Sequence, residues 1–225
     1  MLHGDSLAAA DWWARPRDGQ GGVWITNYQK SLGVRHREAI TAIVAELQVT
    51  SVLEIGCHCG PNLVKLAEAN PQLQAAGIDV NADAIAAGQA WVAQRGLDTR
   101  VELAVRRFPE GTSTVATGIV DVVLSCYSLA YVAFDDLDAA LYEMGRLARR
   151  AVIIAEPMVL GDQMGSGRQE LSGYREWTHN YERALRWIGS LADMTTRVVM
   201  VDPPVDRLNA ILVATRGEMP VSRQR

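Results

Sequence analysis

From Arg35 onward the apolar positions switch repeatedly between helical and strand spacing. "REAITAIVAEL" places them at helical intervals and predicts a helix ending near Gln48. "SVLEIG" then predicts a strand, "PNLVKLAEAN" a helix with Pro61 in its permissive first turn, and "LQAAGIDV" a second strand. Further on, "ADAIAAGQAWVAQRG" reads as a helix stopped at Gly96 and "RVELAV" as a strand. "GIVDVVLSCYS" follows as a strand, "DDLDAALYEMGRLAR" as a helix opened by Asp135, and "AVIIAEP" as another strand. Parallel neighbours need a long return connection, so this alternation implies parallel strands joined by crossover helices. The predicted fold class is a doubly wound α/β sheet.

Both ends of the chain depart from that rhythm. "MGSGRQELSG" reads as a flexible insertion and "YREWTHNYERALRWIGSL" as a helix. "TTRVVMV" and "LNAILVAT", on either side of "DPPVDR", form a hairpin that ends the sheet in an antiparallel edge. The first 33 residues are rich in Trp, Gly and Asp without a steady period, and "RDGQGGVW" reads as a loop. The chain thus divides into a cap segment, residues 1–34, and an α/β domain, residues 35–225. Aromatic anchors and a glycine loop suit the cap to act as a lid.

Composition narrows the partners. In 225 residues, 48% hydrophobic and 21% charged content rules against disorder. A net charge of -4 argues against a nucleic-acid partner, which needs a basic face. Arg146, Arg149 and Arg150 read as a solvated helix end. The apolar run from Val115 to Phe134 contains Gly118 and Asp121, which makes it a buried strand with flanking turns, so no membrane segment is expected. With no apolar leader at the N-terminus and three cysteines, two of them one residue apart, the chain is expected in the reducing cytoplasm without a disulfide framework.

The turn "EIGCHCGPN" carries the chemistry. Cys57, His58 and Cys59 are adjacent on one turn, and no second Cys or His pair stands at ligand spacing, so no metal is expected. The cysteines read as small packing residues, with His58 turned to solvent or to a ligand carboxylate. Gly56 and Gly60 lie between a strand and a helix, where a doubly wound sheet exposes main-chain amides to a ligand. Asp79 ends the next strand, 19 residues after Gly60, at the distance suited to ribose hydroxyls. Together these define a nucleoside site. The nicotinamide fingerprint G-x-G-x-x-G is absent, because Cys59 and Gly60 break its spacing.

Glu54, Gly56 and Gly60 match the first motif of the class I S-adenosylmethionine-dependent methyltransferases, E/D-x-G-x-G-x-G, with His58 at the middle glycine and Cys57 after the first. The resemblance extends through Asp79 in "GIDVN", through "DVVLSCYSLAYV" and through "VIIAEP", about Arg35 to Arg216. It implies a Rossmann-like, seven-stranded, mostly parallel sheet with an antiparallel last strand, and S-adenosyl-L-methionine as cofactor. Carried over, Gly56, Cys57 and Gly60 line the methionine part, Glu54 supports the loop and Asp79 holds the ribose. Val80 and Asn81 flank the adenine, Phe108 stacks on it, and Ser125 borders the methyl-transfer point. The pattern fails after the third strand, where the family often has an acid near the adenine amine and this chain has Arg106 and Arg107.

Aromatic residues outside the common core, Trp24, Tyr28, Tyr131 and Trp177, are expected to line a pocket for a small-molecule substrate. His179, with Trp177 and Tyr181 beside it, is the first choice of general base. The expected activity is methyl transfer to a small organic acceptor, at oxygen before nitrogen or carbon. The alternatives are a protein or peptide side chain as acceptor, or a binding protein that holds the cofactor without catalysis.

Overall fold

A computed structural model describes residue 2 and residues 4–15, 21–161, 167–171, 174–205 and 208–217. Two helices come first, α1 (Gly4–Ala14) and α2 (Gly21–Lys30). The α/β unit follows as α3 (Arg35–Leu47), β1 (Ser51–Ile55), α4 (Pro61–Ala69), β2 (Gln74–Asp79), α5 (Ala82–Gln94), β3 (Val101–Val105), β4 (Val120–Cys126), α6 (Phe134–Leu147) and β5 (Ala148–Ala155). It closes with β6 (Gly167–Leu171), β7 (Tyr174–Thr178), α7 (Tyr181–Leu185), β8 (Met194–Val205) and β9 (Leu208–Arg216).

Seven strands form one sheet in the order β3-β2-β1-β4-β5-β9-β8. Neighbours from β3 to β5 pair in parallel, whereas β9 runs antiparallel to both β5 and β8. This is the Rossmann-like sheet with an antiparallel last strand. Both faces are covered, which explains why β1, β4 and β5 read as continuous apolar runs. Ile153 packs on the α3, α4 and α5 side while Val152 and Ile154 pack on the α6 and α7 side. Each such side chain contributes about 1.5–3 kcal/mol on burial. Among the described residues no helix is long and apolar enough to cross a membrane.

The ends of the chain correct the sequence reading. Residues 4–14 and 21–30 are helical although no period announces them, and the "GGVW" half of the expected loop is the first turn of α2. Ala-rich α1 draws on intrinsic propensity instead of an apolar stripe. The helix expected over "YREWTHNYERAL" is instead strand β7 followed by the short α7. The strand pairs with β6, Arg168 opposite Trp177, inside the expected flexible insertion. Tyr, Trp and Thr favour the extended state, and a nearby partner strand decides between the two. The "RDGQ" half of the expected loop and the "MGS" that precedes β6 lie outside the described residues.

Candidate active site

The carboxyl ends of β1, β2 and β4 and the segment after β3 open into a cavity of about 430 Å³, within the range of small-molecule sites. The sheet order reverses between β1 and β4, which makes this the crevice where doubly wound sheets bind ligands. Ser6, Ala10 and Trp13 roof it from one face of α1, and Tyr28, His36 and Arg37 wall it from α2 and α3. Polar contacts fasten the roof. Ser6 Oγ accepts from Ala133 N at 2.8 Å, Asn81 Nδ2 donates to Trp13 O at 2.7 Å, and Asp11 pairs with Arg107 at 2.5 Å.

The glycine turn is shaped by its own neighbours as well as by any ligand. Gly56 has φ 69°, and a Cβ there would fall 2.1 Å from Ser128 Oγ. The glycine therefore lets the chain leaving β4 cross over the β1 tip. His58 also lies in the left-handed region, at φ 52°, a costly conformation for a non-glycine residue. Its main-chain N–H donates to Asp79 Oδ2 at 2.7 Å, and its ring centroid sits 4.1 Å from those of both Trp24 and Tyr28. His58 is thus buried in the aromatic wall, not turned to solvent. Cys57 and Cys59 are buried thiols, and among the described residues no group of three His, Cys, Asp or Glu side chains is arranged to hold a metal.

A buried polar chain occupies the β1 side of the cavity. Arg37, 6% exposed, donates from Nη1 to Asn62 Oδ1 at 2.5 Å, and Asn62 Nδ2 donates to Glu54 Oε1 at 2.5 Å. Glu54 is 1% exposed, and its Oε2 has no hydrogen-bond partner. Burial pushes its carboxyl up to about 8 against the Asn62 hydrogen bond and the Arg37 charge. Across the turn, Asp79 accepts main-chain N–H bonds from His58 and, at 2.8 Å, from Asn81. Burial raises Asp79 as well, with those bonds opposing it.

Glu54, Gly56, Cys57, Asp79, Val80, Phe108, Tyr28 and Tyr131 meet at the cavity. Gly60, Asn81, Ser125, Trp24, Trp177 and His179 do not line it. Gly60 begins α4 over Leu103, and Asn81 caps α5 by accepting from Ala84 N at 2.8 Å. Ser125 is fully buried and donates to Glu156 Oε1 at 2.5 Å. Trp24 stands behind Trp13 and His58, and Trp177 behind His179. His179 is 1% exposed and donates from Nε2 to Val132 O at 2.8 Å. Burial lowers its pKa to about 4, and it stands outside the cavity lining. Residues that the sequence reading passed over line the site instead. They include His36, Arg37, Asn62 and Tyr127, which has φ 55° immediately past β4. The cluster "RHRE" at the start of α3 was the available signal.

Residues 53–151 match the family described as Methyltransferase domain. No curated protein matches. Among solved structures, magnesium protoporphyrin IX methyltransferase from Synechocystis PCC 6803, with bound S-adenosylmethionine, superposes at TM-score 0.65 and 17% identity, over 96% of this chain and 99% of that one. A putative O-methyltransferase from Nostoc punctiforme PCC 73102 gives 0.67 at 14% identity, over 94% and 67%. The cyclase SpnF gives 0.59 at 19% identity, over 80% and 81%. The fold is that of the class I methyltransferases. Residues 53–151 thus carry the match to a methyltransferase domain, and a structure that shares the fold holds S-adenosylmethionine.

Proposed function

We propose that this chain is an enzyme that methylates a hydroxyl oxygen of a small, flat organic acceptor inside the roofed cavity. One observation carries the choice of oxygen. His36 lines the cavity, is 6% exposed, and its ring lies 5.7 Å from that of Tyr127. Its Nδ1 has no hydrogen-bond partner. Burial and the neighbouring Arg37 charge lower its pKa to about 4, so the ring is neutral at pH 7 and able to receive a proton.

When bound, S-adenosylmethionine supplies a methyl group activated on a sulfonium. The cavity residues fit it. Glu54 Oε2 takes the ammonium and Arg37 the carboxylate of its amino-acid end, Asp79 takes the ribose hydroxyls, and Phe108 stacks on the base. Trp13, Tyr28, Tyr127 and Tyr131 seat the acceptor and exclude water. Alignment of the acceptor by these side chains would supply roughly 7–11 kcal/mol. His36 would take the proton that the acceptor hydroxyl gives up on methylation. With its lowered basicity this transfer comes late, once the oxygen has become acidic, and contributes about 10²- to 10⁴-fold. Residues 1–34 act as the lid, released by opening the Asn81 and Asp11 contacts.

Labelled-methyl turnover against a panel of phenols and enols tests the reading. Product should form, and His36→Gln should lower kcat by about 10²-fold or more with unchanged affinity for S-adenosylhomocysteine. Unaltered kcat on a hydroxyl acceptor would remove His36 from the chemistry. Tight cofactor binding without transfer to any acceptor would favour a non-catalytic binder, the reading that His58 at a motif glycine and a cyclase on the same fold keep open.

A further inference from the structure

Across the sheet the strand tips run β4, β1, β2, β3. With the amino-acid end of the ligand at Glu54 on β1 and its ribose at Asp79 on β2, the base continues in the same direction to the segment after β3. That segment is Arg106, Arg107 and Phe108, and all three line the cavity. It is laid against the β2 tip by Arg106 N, which donates to Asp79 O at 2.9 Å. Arg107 donates from Nη2 to Asp11 Oδ1 at 2.5 Å, while its Nη1 is buried and has no hydrogen-bond partner. Among the described residues the carboxylates lining the cavity are Glu54 and Asp79, on β1 and β2. Pro109, next in the chain, has no N–H to offer. Among the described residues no carboxylate lines the cavity at the base end, where Asp11 and Glu110 stand outside the lining and accept from Arg107 Nη2 and from Leu2 N.

The chemistry of the base follows from that asymmetry. The outer edge of a 6-amino purine offers an amine donor beside ring acceptors, whereas a 6-keto purine offers O6 and N7, two acceptors that an arginine matches well. A carboxylate in that place would require the amine. A guanidinium Nη1 without a partner does not.

We propose that Arg107 determines base specificity by donating from Nη1 to the purine edge, so that the site accepts 6-keto as well as 6-amino forms of its nucleoside ligand. This rests on the cofactor reading above. The roof of α1 reaches the same guanidinium through Asp11, so the variants must separate the two roles.

The test is calorimetry with S-adenosyl-L-homocysteine and S-inosyl-L-homocysteine on the full chain, on Arg107→Met and on Asp11→Asn. Wild-type protein should bind the two within about threefold of each other, where a site that demands the amine would discriminate by about 10²-fold or more. Arg107→Met should weaken the inosyl compound by about tenfold and the adenosyl compound by less. Asp11→Asn should leave their ratio unchanged. The inference is overturned if wild-type protein rejects the inosyl compound by more than about 30-fold, or if Arg107→Met leaves the ratio as it was. It is also overturned if Asp11→Asn shifts the ratio as Arg107→Met does, since the roof and not the guanidinium would then set it. Failure of S-adenosyl-L-homocysteine itself to bind would overturn the cofactor reading too, whereas binding with strong discrimination overturns this inference alone.

Discussion

Two buried glutamates stand at the tips of β1 and β5, on either side of β4, and meet opposite conditions. Glu156, just past β5, receives Ser125 Oγ and the main-chain N–H groups of Ser128, Leu129 and Ala130 at 2.5–3.2 Å. Glu54, at the β1 tip, receives Asn62 alone and keeps a buried oxygen unpartnered. Burial raises both carboxyls, and at Glu156 its four donors oppose the shift. Asp79, at the β2 tip on the other side of Glu54, is intermediate in its partners, with the His58 and Asn81 N–H groups on its two oxygens. The difference separates a carboxylate that completes the fold, by closing the turn Leu129–Tyr131, from one whose partners are incomplete without a ligand.

The largest effect expected is at the completed site. Glu156→Ala leaves four buried donors unsatisfied at about 1–3 kcal/mol each, so unfolding should become easier by about 4 kcal/mol or more in urea titration. A change below about 1 kcal/mol would mean that the turn after β4 holds itself. Next is Asp79→Ala. Losing charge-assisted bonds worth about 1.5–3 kcal/mol each should weaken S-adenosylhomocysteine binding by about 100-fold in calorimetry. Unaltered affinity would remove Asp79 from the ribose site.

How far this contrast could be read from the sequence depends on the range of the contacts. Elements α3 to α6 and β1 to β5, and the β8–β9 hairpin, follow from period and turn residues, which are local. The motif also brought Glu54, Gly56 and Asp79 to one place. Helix α1 escaped because its hold on the domain is set by Ser6 with Ala133 and Trp13 with Asn81, pairs 127 and 68 residues apart. Tyr127 lines the cavity two residues past Ser125, on a left-handed turn that leaves no mark in composition. His179 drew notice from its aromatic neighbours Trp177 and Tyr181, but those rings bury it. His36 stands on the first turn of α3, facing a wall that only the folded sheet supplies. Glu156 reads from the sequence only as the end of a strand, because its donors come from the end of β4 and the loop after it.

The smallest effect is the one that reads Glu54 most directly. In the free protein its carboxyl titrates near 8, far above the ordinary value of 4.5. Below pH 8 the folded chain thus holds a proton that the unfolded chain releases above about 4.5, so stability rises as pH falls from 8 toward 4.5 and should do so by no more than a few kcal/mol. Glu54→Gln removes the titration and should flatten that slope in melting curves. A ligand ammonium beside Oε2 favours the charged form, so binding S-adenosylhomocysteine at pH 7 should expel nearly one proton from wild-type protein. Above pH 9 it should expel almost none, and Glu54→Gln none at either pH. Calorimetry in two buffers of different ionisation enthalpy reads this difference, with Glu54→Gln costing only about tenfold in affinity. Proton uptake, or no exchange at pH 7, would mean that the ammonium lies away from Glu54 and that the free oxygen serves the fold in some other way.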